Sequence, residues 1–194
     1  MLVSQNKSAG VELRGVLPMR ERTVSGAAEL MEDGALDALE SRAYRIVLGK
    51  VLAERLGVAM GDKLVLMTTE GSMTPVGMMP RMRRFEVAGI FYAGMYEFDK
   101  SLAYLHMDDA ARMMRMGTAV TGVSMTVAEP LAAPVTVRAA ARAFGGGVYV
   151  NDWTRQHANF FRSIELTKSI IFIILLMVVA VAAFNIVSTL VMVV

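Results

Sequence analysis

The histidine and carboxylate side chains of this chain do not form a catalytic pattern. The two histidines, His106 and His157, have no second nitrogen ligand at metal-binding spacing, and only Asp108 and Asp109 stand close to either. Adjacent carboxylates after a strand usually cap the next helix, so we expect Asp108 or Asp109 to begin one. The chain has no cysteine, which excludes thiol catalysis and thiolate metal sites. We therefore predict a protein that is not an enzyme and has no cofactor or bound metal.

Nucleotide and nucleic-acid binding are also unsupported. The glycine run at 145–147 follows a predicted helix, whereas phosphate-binding loops precede one, and there is no Walker sequence. If ATP drives this protein, a separate ATPase subunit must bind it. The net charge of +2 is small and its charges are scattered, which does not favour nucleic acid as a partner.

The unusual segment is residues 71–84, which read GSMTPVGMMPRMRR. Pro75 and Pro80 restrict the backbone on both sides of an apolar stretch, which suits a connection that projects between two strands. Exposed methionines make adaptable apolar contacts with a partner. We predict a protruding docking loop with a basic patch at its base, from Arg81, Arg83 and Arg84. Composition alone leaves open a loop whose methionines fold back onto the core.

A soft-metal site is a weaker interpretation of the same segment. Four thioethers could hold Cu(I) in principle, those of Met73, Met78, Met79 and Met82. No histidine or cysteine accompanies them, and a projecting loop explains the two prolines better. We favour partner docking.

The C-terminal residues 170–194 form an uncharged apolar run whose only polar side chains are Asn185, Ser188 and Thr189. About 20 apolar residues in a helix cross a hydrocarbon core of about 30 Å, so the run predicts a transmembrane helix. Residues 153–169 before it place Trp153 and Phe161 on one helical face, which indicates an amphipathic stalk. With no Gly or Pro after Thr154, we expect one uninterrupted helix from there to Val194.

Residues 1–152 hold most of the charged residues and predict one α+β domain. The patterns predict strands at 11–16, 44–48, 63–68, 84–91, 102–106, 122–127 and 148–150, and helices at 25–40, 50–56, 108–116 and 132–144. The start of the chain has neither a signal peptide nor a first membrane span, and its end lies within a span. We therefore expect further sequence at both ends.

Three stretches resemble the LolC/LolE family of MacB-like permeases. They are TPVGMMPRMRRFEVAGIF, DWTRQHANFFRSIELTKS and VAVAAFNIVSTLVMVV, and LGKVLAERLGVAMGDKLVL resembles the family more loosely. The resemblance covers about residues 11–194. It implies a MacB-like periplasmic domain, truncated at its N-terminus and followed by the second span of an inner-membrane permease subunit.

The resemblance also implies a function. Such a subunit pairs with a second LolC/LolE-like subunit and a LolD-like ATPase, releases lipoprotein cargo from the inner membrane, and hands it to the periplasmic chaperone LolA. The family's chaperone-binding hook would correspond to Met73, Thr74, Pro75, Val76, Gly77, Met78, Met79 and Pro80, and its supporting pad to Arg81, Met82 and Arg83.

Two differences from the family leave the type of subunit and its function open. A family example has glutamine at the position of Met82 and an arginine on the strand near Val65, so part of the pad chemistry is absent. The chain could be LolC-like or a LolC/LolE hybrid. A different class remains as the alternative function, a MacB/FtsX-type mechanotransmission permease that acts on another periplasmic partner.

Overall fold

The computed structural model describes residues 1–5, 7–74, 77–145 and 147–193, with side chains described outside 69–78 and 156. Its elements, in chain order, are β1 (Leu2–Ser4), β2 (Lys7–Ala9), β3 (Glu12–Val16), α1 (Pro18–Val24), β4 (Met31–Gly34), β5 (Arg45–Gly49), α2 (Lys50–Leu56), β6 (Lys63–Thr74), β7 (Gly77–Phe91), α3 (Tyr96–Ser101), β8 (Leu102–His106), α4 (Met107–Met114), α5 (Ala133–Ala143), α6 (Trp153–Gln156) and α7 (Ala158–Val193). Two 3-10 turns cover Leu36–Ala38 and Pro130–Ala132. The chain divides into two compact units, Met1–Thr126 and Val127–Val194.

The first unit is built on one mixed sheet. Its strand order is β2-β1-β6-β7-β5-β8-β3, and β4 pairs with β7 beside this path. The pairs β3/β8 and β5/β7 are parallel, and the other pairs are antiparallel. The predicted mixed α and β class is therefore confirmed.

Strand β5 is covered on both faces, which explains its continuous apolar run. Ile46 and Leu48 belong to one buried cluster, while Val47 between them belongs to the other. Successive side chains of a strand point to opposite faces, so an unbroken apolar run is typical of a strand buried on both sides. Helix α2 follows at once and ends at Gly57, whose φ of 68° is the left-handed conformation that glycine adopts easily.

Several sequence predictions are confirmed. Strand β8 and helix α2 have the predicted bounds, and β3, β5 and α5 differ from theirs by a residue or so.

The predicted helix at 25–40 is wrong. The helix lies earlier, at Pro18–Val24, where Pro18 supplies the backbone angle suited to a first turn. Ser25 follows that helix instead of beginning one. Strand β4 then pairs with β7, and Gly34 has a φ of 75° while a Cβ on it would lie 2.3 Å from the Ala88 carbonyl oxygen. The close approach of two backbones therefore overrides the local helical pattern.

The strands predicted at 122–127 and 148–150 are also wrong. The structure has no strand in either range. Thr126 instead donates its hydroxyl hydrogen to the carbonyl oxygen of Val24, at 2.9 Å. Alternation of apolar and polar residues is insufficient for a strand where no neighbouring strand supplies a ladder.

The second unit carries the segment predicted as a stalk and the apolar helix. The carboxylate of Asp152 caps α6 by accepting the backbone N–H groups of Thr154 and Arg155, at 3.0 and 3.1 Å. The prediction of an uninterrupted helix is wrong at one residue, because His157 has φ −108° and ψ 29° and separates α6 from α7. From Ala158 the helix runs without a break for 36 residues. The rings of Trp153 and Phe161 contact each other across the interruption, with centroids 5.3 Å apart.

Helix α7 is long and apolar enough to cross a membrane. At about 1.5 Å per residue it is roughly 54 Å long, more than a hydrocarbon core needs. Lys168 is its last charged residue, and the large apolar side chains that follow are exposed.

A close approach between β5 and α3 gives a test of the first unit. A Cβ on Gly49 would lie 2.4 Å from the carbonyl oxygen of Asp99 and 2.8 Å from its Cα, and backbone atoms cannot move aside as a side chain can. Gly49→Ala should therefore lower the free energy of unfolding by about 1–3 kcal/mol. Thermal unfolding in detergent, followed by circular dichroism, measures this. The control is Gly10→Ala, where no atom lies within 4 Å. Equal transition temperatures for the two variants would contradict the steric argument.

Candidate functional site

The segment predicted as a protruding loop is a β-hairpin. Strands β6 and β7 pair from Lys63↔Glu86 to Thr74↔Gly77, so residues 71–74 and 77–84 lie in strands and not in an irregular connection. Pro80, which lacks an N–H donor, is opposite Gly71, next to a shift in register between Met67 and Gly71. Gly71 and Pro80, two of the residues that suggested a loop, therefore lie beside this irregularity in the ladder.

The outer part of the hairpin extends beyond the rest of the sheet. Strand β1 pairs with β6 at Val65 and Leu66, and β5 pairs with β7 from Glu86 onward. Beyond them, the described ladders pair residues 67–74 and 77–82 with no other strand, although the backbone of Met67 also exchanges hydrogen bonds of 2.8 and 2.9 Å with Met1. We call residues 67–74 and 77–82 the hairpin arm. Thr74 is eight residues beyond Leu66, which corresponds to about 26 Å of strand.

Six of the eight predicted hook residues, 73–74 and 77–80, lie in the described part of this arm. Pro75 and Val76 lie outside the described residues. Met73, Thr74, Gly77 and Met78 are described by their backbone, which is paired as Met73↔Met78 and Thr74↔Gly77. The side chain of Met79 is described and is 58% exposed, and Pro80 is exposed too. For Met79, therefore, the alternative in which the methionines fold back into the core is wrong.

The predicted pad residues do not all share one surface. Residues two apart on a strand lie on the same face, so Arg81 and Arg83 share a face with Met79 and with the buried Phe85. Met82 and Arg84 alternate with them and lie on the opposite face. Arg84 is directly across the ladder from Val65. A basic residue is thus present beside the position where the family example has an arginine.

Tyr44 holds the base of the hairpin arm in place. Its ring meets that of Phe85 edge to face, with centroids 5.7 Å apart. The Arg83 guanidinium stacks over the Tyr44 ring, 4.2 Å from its centroid, and donates a hydrogen bond of 2.5 Å to the phenol oxygen. This combination of a cation–π contact and a hydrogen bond fixes the direction of a cationic side chain that is otherwise exposed.

The conformation at Tyr44 depends in turn on Asp109. This fully buried carboxylate accepts the backbone N–H groups of Arg42 at 3.0 Å and of Tyr44 at 3.1 Å, and a guanidinium N–H of Arg112 at 3.1 Å. Arg42 and Tyr44 have φ values of 68° and 51°, which are unusual for residues with side chains. The carboxylate therefore stabilises a strained turn.

Sequence reasoning missed this role of Asp109. We predicted that Asp108 or Asp109 caps α4, but the cap is His106, whose Nδ1 accepts the N–H of Asp108 at 3.2 Å. Asp108 accepts the hydroxyl hydrogen of Ser41 instead, and this hydrogen bond is the main reason that the pKa of its carboxyl is lowered. Two adjacent acidic residues give no sign in the sequence of which is buried. No cluster of three or more His, Cys, Asp or Glu side chains that could hold a metal ion occurs within the described part of the chain.

A half-open pocket of about 170 Å³ lies where the hairpin arm meets α4. It is lined by Tyr44, residues 81–83, Arg112 and Met113. Arg81 donates to the carbonyl oxygen of Met113 at 3.1 Å, which ties the arm to the end of α4. The structure thus brings the predicted Arg81 and Arg83 together with Arg112, which the sequence did not single out.

Curated relatives place this chain in a family, although no family model matches it. A lipoprotein-releasing system transmembrane protein LolC from Neisseria meningitidis is 40% identical over 193 residues, which are 99% of this chain and 46% of the relative. LolC from Xylella fastidiosa is 40% identical over 182 residues, 94% of this chain and 44% of the relative. The chain belongs to the LolC/LolE family. A LolE protein from Haemophilus influenzae is 25% identical over 183 residues, 94% of this chain and 44% of that protein.

The chain spans less than half the length of these LolC and LolE relatives. The match nevertheless includes the hairpin arm, its base and α7, since it extends over nearly all of the chain. The structural features described above therefore belong to the portion that is shared with the family.

The anchoring role of Asp109 in this LolC/LolE domain can be tested by substitution. Asp109→Ala leaves two backbone N–H groups without their acceptor and Arg112 without its ion pair, so it should lower the free energy of unfolding by about 3 kcal/mol. Asp108→Ala, which removes the half-exposed neighbour, should lower the free energy of unfolding much less than Asp109→Ala does. Thermal unfolding in detergent compares the two. Similar losses for both variants would show that Asp109 does not have this role.

Proposed function

We propose that this chain is part of a non-catalytic membrane subunit of an ABC transporter that releases lipoproteins from the bacterial inner membrane and hands them to a LolA-like periplasmic chaperone. Membership of the LolC/LolE family supports the transporter role. Residues 1–152 would form the periplasmic domain, 153–169 the stalk, and 170–194 the second span. A LolD-like subunit would hydrolyse ATP, and a second LolC/LolE-like subunit would complete the membrane part.

The observation that carries the chaperone role is the hairpin arm. It presents an exposed Met79 on a ribbon that, among the described ladders, pairs with no other strand. An exposed, unbranched thioether side chain suits a partner surface that must be held and then released. In this proposal Met73, Thr74, Pro75, Val76, Gly77, Met78, Met79 and Pro80 act as the hook.

The pad of this proposal differs from the one that the resemblance implied. Arg81 and Arg83 lie on the face of Met79, so they can touch the same partner as the hook. Met82 and Arg84 lie on the opposite face of the strand and would touch a different part of the partner. The chain is 40% identical to two LolC proteins and 25% identical to a LolE protein, which favours a LolC-type subunit over a LolE-type one.

Capture of the chaperone tests the hook. Met79→Asp places a charge where an apolar contact is proposed, so binding of purified LolA-like chaperone to the full-length protein in detergent should fall at least about tenfold. Met19→Asp is the matched control, because Met19 is 85% exposed on α1 of the same unit. Biolayer interferometry with immobilised chaperone measures both. Unchanged affinity of the Met79→Asp variant would contradict the proposal that this segment acts as a hook. Capture of another periplasmic protein but not this chaperone would favour the MacB/FtsX-type alternative.

We also propose that α7 transmits movement of the span to the domain side of the membrane. The helix has no interruption between Ala158 and Val193, so a displacement in the membrane is not absorbed in a linker.

Insertion of Gly-Ser after Leu166 tests this coupling. The insert weakens the helix and turns its two parts relative to each other by about 200°. ATP hydrolysis by the reconstituted transporter should continue while lipoprotein release falls to background. The same insertion after Ala128, in a non-helical segment, should leave release unchanged. Normal release by the Leu166 variant would exclude a rigid connection.

A further inference from the structure

Trp153 of α6 contacts both α7 and the turn that precedes α5. Its indole N–H donates to the carbonyl oxygen of Pro130 at 2.8 Å, and Pro130 begins the 3-10 turn that leads directly into α5. Its ring meets that of Phe161 on α7, with centroids 5.3 Å apart and planes inclined at 62°. The Trp153 side chain is 39% exposed, so these two contacts hold it, and not burial in a core.

The bend at His157 brings the two rings together. Phe161 follows Trp153 by eight residues, which in an unbroken helix extend about 12 Å along the axis, far more than the separation of the rings. His157 leaves the helical conformation, and its carbonyl oxygen accepts the N–H groups of Phe160 and Phe161 at 2.9 and 3.2 Å. The backbone thus begins α7 anew after the bend, and the ring contact holds the angle between α6 and α7.

The covalent path between α5 and α7 is longer and irregular. It runs through residues 144–152, whose described part contains no helix or strand and includes Gly145 and Gly147 at φ values of 81° and 77°. A glycine-containing irregular segment absorbs displacement, because its backbone angles can change at little cost. The contacts of Trp153 bypass this segment, so they connect the two helices more directly than the chain itself does.

We propose that Trp153 is a positioning residue that transmits displacement of α7 to α5. Its N–H group holds the turn before α5 while its ring holds α7, so a movement of α7 carries the start of α5 with it. The inference rests on the proposed coupling through α7 and adds the side chain through which that coupling enters the second unit.

The cap of α6 supports this role. The Asp152 carboxylate accepts the N–H groups of Thr154 and Arg155, which satisfies donors that a helix N-terminus leaves free. A helix of four residues has little stability of its own, since helices gain stability from length and packing. The cap keeps this turn of helix formed, and the turn presents Trp153 to both of its neighbours.

Distance measurements test the connection without a transport assay. Residues 1–194 contain no cysteine, so spin labels are attached at Val135→Cys on α5 and Leu166→Cys on α7, positions that are 70% and 58% exposed. Double electron–electron resonance then measures the distances between the labels in the full-length protein in detergent, after replacement of any cysteine elsewhere. Trp153→Phe keeps a ring but loses the N–H donor, so it should widen the distance distribution about twofold. Tyr149→Phe, at a position that is 88% exposed, is the control and should not widen it. An unchanged width for Trp153→Phe would overturn the proposal.

A transport assay measures whether this connection is used. In the reconstituted full-length transporter, the amount of lipoprotein released is divided by the amount of ATP hydrolysed. Trp153→Phe and Phe161→Ala each remove one of the two contacts, so each should lower this ratio about fivefold. Phe161→Tyr keeps the ring and should have the wild-type ratio. A loss of folded protein lowers release and hydrolysis together and leaves their ratio unchanged, so an unchanged ratio for Trp153→Phe and Phe161→Ala would also overturn the proposal.

The outcomes separate this inference from the proposed function. If the Gly-Ser insertion after Leu166 uncouples release but the Trp153 and Phe161 variants do not, transmission through α7 stands and the role of Trp153 is refuted. If the wild-type transporter releases no lipoprotein, the proposed function fails, while the distance measurement still decides whether Trp153 holds α5 and α7 together.

Discussion

The buried carboxylate of Asp109 is the interaction on which the candidate site depends. An ionised group in a protein interior is costly unless it is paired and hydrogen-bonded. Here three donors surround it, two from the backbone of residues 42–44 and one from Arg112. The backbone donors belong to residues with positive φ, which are disfavoured by about 1–2 kcal/mol each. The hydrogen bonds between the carboxylate and the turn therefore offset both the cost of burying the charge and the strain of the backbone.

From that turn the constraint passes outward to the hairpin. Tyr44 packs on Phe85 with one edge and supports Arg83 with its face and hydroxyl. A two-stranded ribbon alone is marginally stable in water, so the geometry of the hairpin arm must be set where it joins the sheet. Phe85 lies in the buried core and Arg83 lies just beyond it. The arm therefore projects from a rigid base and does not need a core of its own.

The sequence predicted the elements whose own residues determine them. Helix α2 ends at a left-handed glycine, and β5 and β8 are apolar runs long enough for a buried strand, so local patterns suffice. The wrong predictions concern segments whose secondary structure is determined by residues distant in sequence. The segment predicted as a helix from Ser25 becomes β4 because β7 is available to pair with it, and residues 122–127 stay irregular although their pattern alternates.

The candidate site shows the same division. The unusual composition of residues 71–84 revealed the hairpin arm, but its prolines suggested a loop where the ladder continues to Thr74↔Gly77. Arg81 and Arg83 were visible because they stand beside the arm in sequence. Asp109 and Arg112 were not, because their importance comes from the packing of α4 against the turn at Tyr44. A lone buried acid three residues before an arginine is indistinguishable in sequence from an exposed helical pair.

The two chemistries of the arm have different physical consequences for a partner. In the proposed function, charges at the base would act over about 8–10 Å at physiological salt, so they would orient an approaching acidic protein before contact and raise the association rate. Met79, farther along the same face, would act only on contact and would therefore affect how slowly the partner leaves. In the proposed function, a subunit that hands cargo to a chaperone must also release that chaperone, which favours an apolar contact made by few side chains over a broad buried interface. The exposed Met79 near the end of the arm is consistent with such a small contact.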